Sequence, residues 1–180
     1  VQHRMMDVVR AVMQQFGYEH GPFNAEFFYD QTNDNVWLLE INPRASQSHA
    51  DLFLKVNGIS HLSVVIDLAL GRKPRTLARE GKWTVAAHFF TRAYQPGTVA
   101  RVPTDVALQL LKKRQPDTRI QISVEKGTSL ADLPNQDSYS FELASVYIGG
   151  RDRMDILDKY DHVLTALQFE IDPESKPAIN

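Results

Sequence analysis

Two carboxylates and an amide are spaced in this chain as ligands of a hard cation: Glu26 in Asn24-Ala25-Glu26, and Glu40 and Asn42 in Glu40-Ile41-Asn42-Pro43-Arg44. Oxygen donors alone suit a divalent ion that keeps waters and phosphate oxygens as its other ligands. That describes magnesium on a nucleotide better than zinc or a closed calcium cage. Arg44, two residues past Asn42, carries a planar fork of donors able to reach a transferring phosphoryl group or a substrate carboxylate. Gln47, Ser48 and His49 follow on the same loop, where they either orient an acceptor substrate or only cap the next helix.

Two strands must position these groups. In Pro22 to Asp30, Phe23, Ala25, Phe27 and Tyr29 take one face of a period-two pattern, while Asn24, Glu26 and Phe28 take the other. In Val36 to Asn42 the expected apolar face is Trp37, Leu39 and Ile41, with Leu38, Glu40 and Asn42 opposite. Asp30-Gln31-Thr32-Asn33-Asp34-Asn35 is rich in turn formers and predicts a hairpin. A register pairing Glu26 with Glu40 stands the carboxylates side by side and sets Asn24 against Asn42. A slip of one residue turns one carboxylate to the other side. Like charges directly opposite each other repel, so something positive belongs between them. Either Glu alone reads as a solvent-facing charge; the joint spacing of Glu, Glu-x-Asn and Arg favours the metal site.

The segment Gly21 to Gly71 resembles the second half of an ATP-grasp domain, the fold shared by biotin carboxylase, carbamoyl phosphate synthetase and D-alanine ligase. Glu40-Ile-Asn-Pro-Arg44 followed by Ala45-Ser-Gln-Ser-His49 resembles the carbamoyl phosphate synthetase and biotin carboxylase branch most. The resemblance implies an α+β fold: the C-terminal lobe of an ATP-grasp fold, an antiparallel sheet with helices, followed by a smaller α+β domain. It implies ATP and magnesium as cofactors, with manganese as an alternative ion. Glu26, Glu40 and Asn42 are then the metal ligands, and Arg44 is the catalytic or substrate-orienting cation. The implied activity is that of a ligase activating a carboxylate as an acylphosphate for attack by an amine or similar nucleophile, so small-molecule carboxylates and amines are its partners. The alternative is a non-catalytic nucleotide-binding or scaffolding module that keeps only the shape. Complete ATP-grasp enzymes are larger, and their first lobe covers the phosphates with lysines and a flexible loop. The chain opens on Val1 and enters a helix almost at once, so the expectation is a fragment that needs the N-terminal lobe of the same polypeptide and is inactive alone.

Composition narrows the classes further. A net charge of -2 with interspersed signs gives no large basic surface, which argues against a nucleic-acid partner. No apolar run approaches membrane-spanning length, since Asp67 interrupts the longest. Zero cysteine excludes disulfides and zinc-thiolate sites and is compatible with a cytoplasmic location. The 180 residues, 43% of them hydrophobic, allow one good-sized domain or two small ones. The polar run from Gly71 to Lys82 marks a boundary between expected domains at 1–75 and 82–171, with a frayed tail over 172–180.

The apolar spacing predicts helices over His3 to Phe16, Ala50 to Val56, Ser60 to Leu70, Val106 to Arg114 and Asp152 to Leu167, the last with Met154, Leu157, Tyr160, Val163, Leu164 and Leu167 inward. Strands are expected over Thr84 to Tyr94, Gly97 to Val102, Arg119 to Val124 and Phe141 to Ile148. Ala86 to Phe90 and Pro96 to Val99 are similar to strands of the C-terminal domain that follows ATP-grasp lobes in biotin carboxylase. His88, inside an apolar strand, reads as a hydrogen-bonded structural histidine, and Gly149-Gly150 as a turn rather than an anion cradle. The chain has no Gly-x-Ser-x-Gly, His-Glu-x-x-His or Walker-type lysine motif.

Overall fold

The computed structural model describes residues 1–75, 78–134, 137 and 139–173; the tail over 174–180, and Thr76 and Leu77 of the polar run, lie outside the described residues. The chain divides into two compact units, Val1–Glu80 and Gly81–Asn180, so the second is the longer rather than the smaller. Among the described residues no single helix is long and apolar enough to cross a membrane.

In the first unit, helix α1 (Gln2–Gln15) stops at a residue that tolerates the left-handed region. Gly17 takes φ +63°, and the Gly17 and Tyr18 N–H groups donate to the Gln14 and Met13 carbonyls at 3.1 and 3.0 Å, a Schellman end. Strands β1 (Asn24–Asp30) and β2 (Asn35–Asn42) form an antiparallel pair. A 3-10 turn (Gln47–His49) leads into helices α2 (Ala50–Asn57) and α3 (His61–Ala69), and Ser60 Oγ caps α3 by accepting from the Leu62 N–H at 3.2 Å. Among this unit's described residues Met13 alone counts as buried, at 9% exposure, and Phe16, at the end of the expected helix, is 80% exposed. The α1 stripe instead borders an open apolar groove of about 990 Å³ that it shares with Phe23 and Phe27.

The second unit carries the larger cores. Strands β3 (Val85–Ala93), β5 (Arg119–Ile122) and β6 (Phe141–Gly150) form an antiparallel sheet in the order β3-β6-β5, while β4 (Gly97–Arg101) pairs with β7 (Glu170–Pro173). Helices α4 (Asp105–Arg114) and α5 (Arg153–Ala166) are capped by Thr104 and Asp152, whose side chains accept from the Ala107 and Asp155 N–H groups. One face of β6, with Ala144, Val146 and Ile148, packs with Leu111, Ile156, Val163 and Leu167. A second cluster joins Val99, Val124, Leu130 and Leu143.

Three expectations change here. The inward stripe of α5 is Ile156, Tyr160, Val163 and Leu167, whereas Met154, Leu157 and Leu164 face solvent; apolar residues lie on two sides of this helix, and packing against β6 selects one. Asp172 and Pro173 are not frayed but pair with Thr98 and Gly97 in β7. Gly149 and Gly150 are strand residues, not a turn.

Gly149 is small because the Trp83 ring lies on it: a Cβ there would sit 2.1 Å from the Trp83 Cδ1. Lys159 Nζ lies 3.9 Å from the centre of the same ring, donates to the Gly149 carbonyl at 2.8 Å and pairs with Asp155 at 3.0 Å. The Arg151 N–H first, and Lys159 after it, pull the Asp155 carboxyl down to about 2. Gly149→Ala should therefore cost the second unit about 1–3 kcal/mol, because the new methyl must displace the indole. Chemical denaturation followed by fluorescence measures this, and an unmoved midpoint would mean the ring yields freely.

Candidate functional site

The hairpin register decides which side chains share a face. Asn24 pairs with Asn42, Ala25 with Ile41 and Glu26 with Glu40. Beyond Glu26 the ladder shifts, so that Phe27 faces Leu38 and Phe28 faces Trp37, leaving Leu39 as the extra residue of a β-bulge. The bulge overturns the expectation that Trp37, Leu39 and Ile41 line one apolar face away from Glu40. Alternation restarts at Leu38, and Trp37 comes to lie across from Phe28, on the Glu26 side of β1, with ring centroids 5.8 Å apart. Exposure follows the new phase: Phe28 and Trp37 are exposed, while Phe27, Tyr29, Val36 and Leu38 are half-buried.

Glu26 and Glu40 are both exposed, and Asn42 Nδ2 donates to Glu40 Oε1 at 2.7 Å. That bond sets amide and carboxylate side by side and leaves the Asn42 Oδ1 to face elsewhere. Among the described residues no ion pair reaches Glu26 or Glu40. Nor does any group of three or more His, Asp or Glu form a complete metal cage there. Two carboxylates and one amide are a partial oxygen shell, which suits a hard cation that arrives with waters and phosphate oxygens of its own.

Arg44 is exposed, and its N–H donates to the Asn42 carbonyl at 2.7 Å, which fixes the start of the loop to β2. Gln47 and His49 are exposed; Ser48 is half-buried with its Oγ 3.0 Å from that of Ser46. His49 stands at the N-cap of α2 and makes no side-chain capping bond, so capping does not account for it. His61, which no motif marks in the sequence, packs on Phe53 near this loop, with ring centroids 4.9 Å apart and both ring nitrogens shut away from solvent. The only early sign of it is a histidine opening an otherwise apolar helix just after a serine cap.

Outside this loop, His88 Nε2 lies 3.1 Å from Ser145 Oγ, which donates to Glu142 Oε1 at 2.6 Å; the ring stacks on Tyr147. The N-terminus of α5 after Gly149-Gly150 is occupied by the Asp152 and Asp155 carboxylates.

The far end of the hairpin is held by its own carboxylates. Asp30 Oδ1 accepts from the Thr32 N–H at 2.8 Å, and Asp34, at φ +51°, accepts from the Tyr29 hydroxyl at 2.9 Å. Arg4 of α1 donates to the Asp34 carbonyl at 2.6 Å and pairs with its carboxylate.

Residues 2–77 match the family described as the carbamoyl-phosphate synthase L chain, ATP binding domain. Over 68 residues, 38% of this chain, the sequence is 35% identical to the carbamoyl phosphate synthase large chain of Streptomyces griseus, of which the match covers 6%. Over these residues the chain resembles an ATP-grasp domain. The ATP-grasp fold also accounts for the solved structures it resembles. The L-amino acid ligase of Bacillus licheniformis superimposes with a TM-score of 0.64 at 16% identity, covering 96% of this chain and 42% of that one. The biotin carboxylase domain of Hydrogenobacter thermophilus 2-oxoglutarate carboxylase, solved with MgADP, ADP and bicarbonate, gives 0.57 at 15% identity over 92% and 35%. The chain thus spans less than half the length of these relatives.

Asn33 on Asp30 and Arg4 on Asp34 hold these two carboxyls of the hairpin below the usual carboxylate range. Depressed folded values mean that their contribution is complete above the ordinary carboxylate range and is lost as pH falls through the folded values. Hydrogen exchange of the 30–35 turn should therefore rise in acid, and Asp34→Asn should remove part of that rise; an identical acid profile in the variant would count against the assignment.

Proposed function

We propose that the hairpin is the magnesium–nucleotide site of an ATP-dependent ligase that activates a carboxylate as an acylphosphate for attack by an amine or similar nucleophile. The observation that carries this reading is the Glu26–Glu40 pair: two like charges directly opposite each other, with Asn42 beside them and no ion pair to either carboxylate among the described residues. The match of residues 2–77 to the carbamoyl-phosphate synthase ATP binding domain, and the MgADP in one structural relative, support it. Glu26, Glu40 and Asn42 would hold magnesium, or manganese in its place, and such an ion would supply positive charge to offset that of the phosphates.

Arg44 stabilises the moving phosphoryl group or the acylphosphate with its bidentate fork. The substrate carboxylate oxygen attacks the terminal phosphorus of ATP and ADP leaves; the amine then attacks the acyl carbon, loses a proton and expels phosphate. Gln47, Ser48 and His49, on the loop that begins at Arg44, orient the acceptor. The active protein includes the N-terminal lobe of the same polypeptide, works in the cytoplasm and has small-molecule carboxylates and amines as partners, while the 180 residues alone turn nothing over.

In the full-length protein, Glu40→Gln should lower turnover by about 10²-fold or more with the fold intact, and Arg44→Lys should lower kcat more than it raises KM. ADP release that depends on an added carboxylate and amine measures both. Near-normal turnover in Glu40→Gln would refute the metal assignment, and nucleotide binding without turnover in the unmodified protein would favour a scaffolding module.

A further inference from the structure

The boundary between the two units falls between Glu80 and Gly81, and the chain is fastened close to it on both sides. On the first side the Arg79 N–H donates at 3.2 Å to Oδ1 of Asn57, the last residue of α2. Arg79 holds φ +54°, a left-handed conformation that a residue with a Cβ keeps only where its surroundings enforce it. On the second side Lys82 pairs with Asp117, and the Trp83 ring lies on Gly149 with Lys159 Nζ 3.9 Å from its centre. The exposed Lys82–Asp117 pair adds little by itself, so Trp83 is the anchor. Two residues later Val85 opens β3, paired with Gly150. Between the fastenings stand Glu80 and Gly81 alone, and among the described residues no hydrogen bond or ion pair reaches either.

We propose that Glu80–Gly81 is a two-residue pivot: the first unit, clamped through Arg79, and the second, clamped through Trp83, turn about it, each as a body. Such a turn is made by the φ and ψ angles of two residues, one of them a glycine without the Cβ that restricts other residues. It leaves the Arg79–Asn57 bond and the Trp83 seat intact, so it costs no interaction within either unit. A few residues that absorb the whole change of dihedral while their flanks stay packed are what hinge motion requires. The polar pattern of the sequence points instead to a longer linker, from Gly71 to Lys82. Both described ends of that run are tied, since the Gly71 and Arg72 N–H groups donate to the Leu68 and Asp67 carbonyls at 3.0 and 2.8 Å. A long loose linker lets two bodies tumble independently, whereas a short pivot between clamped shoulders holds them to a limited set of orientations. The pivot stands or falls apart from the function proposed for the hairpin.

The test is the residual dipolar coupling of backbone N–H groups in the whole chain under weak alignment, with residues 2–70 and 85–167 fitted separately. A pivot gives two alignment tensors whose magnitudes differ by about 1.5-fold or more, because the motion averages one unit more than the other. Gly81→Pro fixes one φ and restricts Glu80 as well, so the two tensors should draw together. Gly81→Val, which keeps the N–H and narrows the backbone through its branched Cβ, is the second variant and should act in the same direction. Asn57→Ala takes the acceptor from the Arg79 N–H, so exchange of that amide should rise roughly tenfold and the tensors should move further apart. One shared tensor in the unmodified chain overturns the proposal, as do tensors that stay equally far apart in both Gly81 variants. Tensors that differ while the Arg79 amide exchanges as freely as that of Gly81 mark a loose linker over 71–82, and overturn it too.

Discussion

The first unit is arranged around an unfavourable contact. Glu26 and Glu40 face each other across a strand pair, where like charges push the strands apart. A hairpin left to itself would relieve this by slipping one residue, so the register has to be held by something else. At one end the Asn42 amide binds Glu40 and ties the carboxylate down. At the other end the turn is closed by Asp30 and Asp34, and Arg4 fastens that turn to α1. The unfavourable pair is therefore flanked by polar fastenings rather than covered by a core, in keeping with a unit in which Met13 is the one buried side chain among the described residues.

The second unit follows the opposite logic. Its stability comes from β6, whose one face meets Leu111, Ile156, Val163 and Leu167 while its far end carries the close approach of Trp83 to Gly149. Polar groups there are consumed locally. The Asp152 and Asp155 carboxylates close the start of α5, and Lys159 spans Asp155, the Gly149 carbonyl and the Trp83 ring at once. What resembles an anion cradle in a glycine pair is thus a place where the chain's own acids already sit.

Features set by neighbours in sequence were legible before the structure. Ser60, Thr104 and Asp152 announce helix starts through side-chain oxygens that reach only two or three residues ahead. The pairing of Glu26 with Glu40 could be read because the turn and the two patterned strands sit within one short stretch. Leu39 could not, because counting by twos assumes an unbroken pleat, and one inserted residue reverses every side chain beyond it. Phase also defeated α5, where Met154, Leu157 and Leu164 offer a second apolar side that only the packed sheet rejects. Asp172 and Pro173 looked like tail since nothing local marks a strand whose partner, β4, lies about seventy residues earlier. His61 was invisible for the same reason: its setting is made by Phe53, not by its flanks.

The chain has two tryptophans, and the boundary between units puts one on each side: Trp37 in the hairpin and Trp83 over Gly149. Their surroundings differ in kind. The Trp37 indole is 47% exposed beside Phe28, and that of Trp83 is half-buried under the Lys159 ammonium. Indole emission reports both solvent contact and nearby charge, so the two halves of the molecule carry natural optical labels of different colour. Replacing either ring by phenylalanine leaves a single lamp, and with it a separate view of how each half melts.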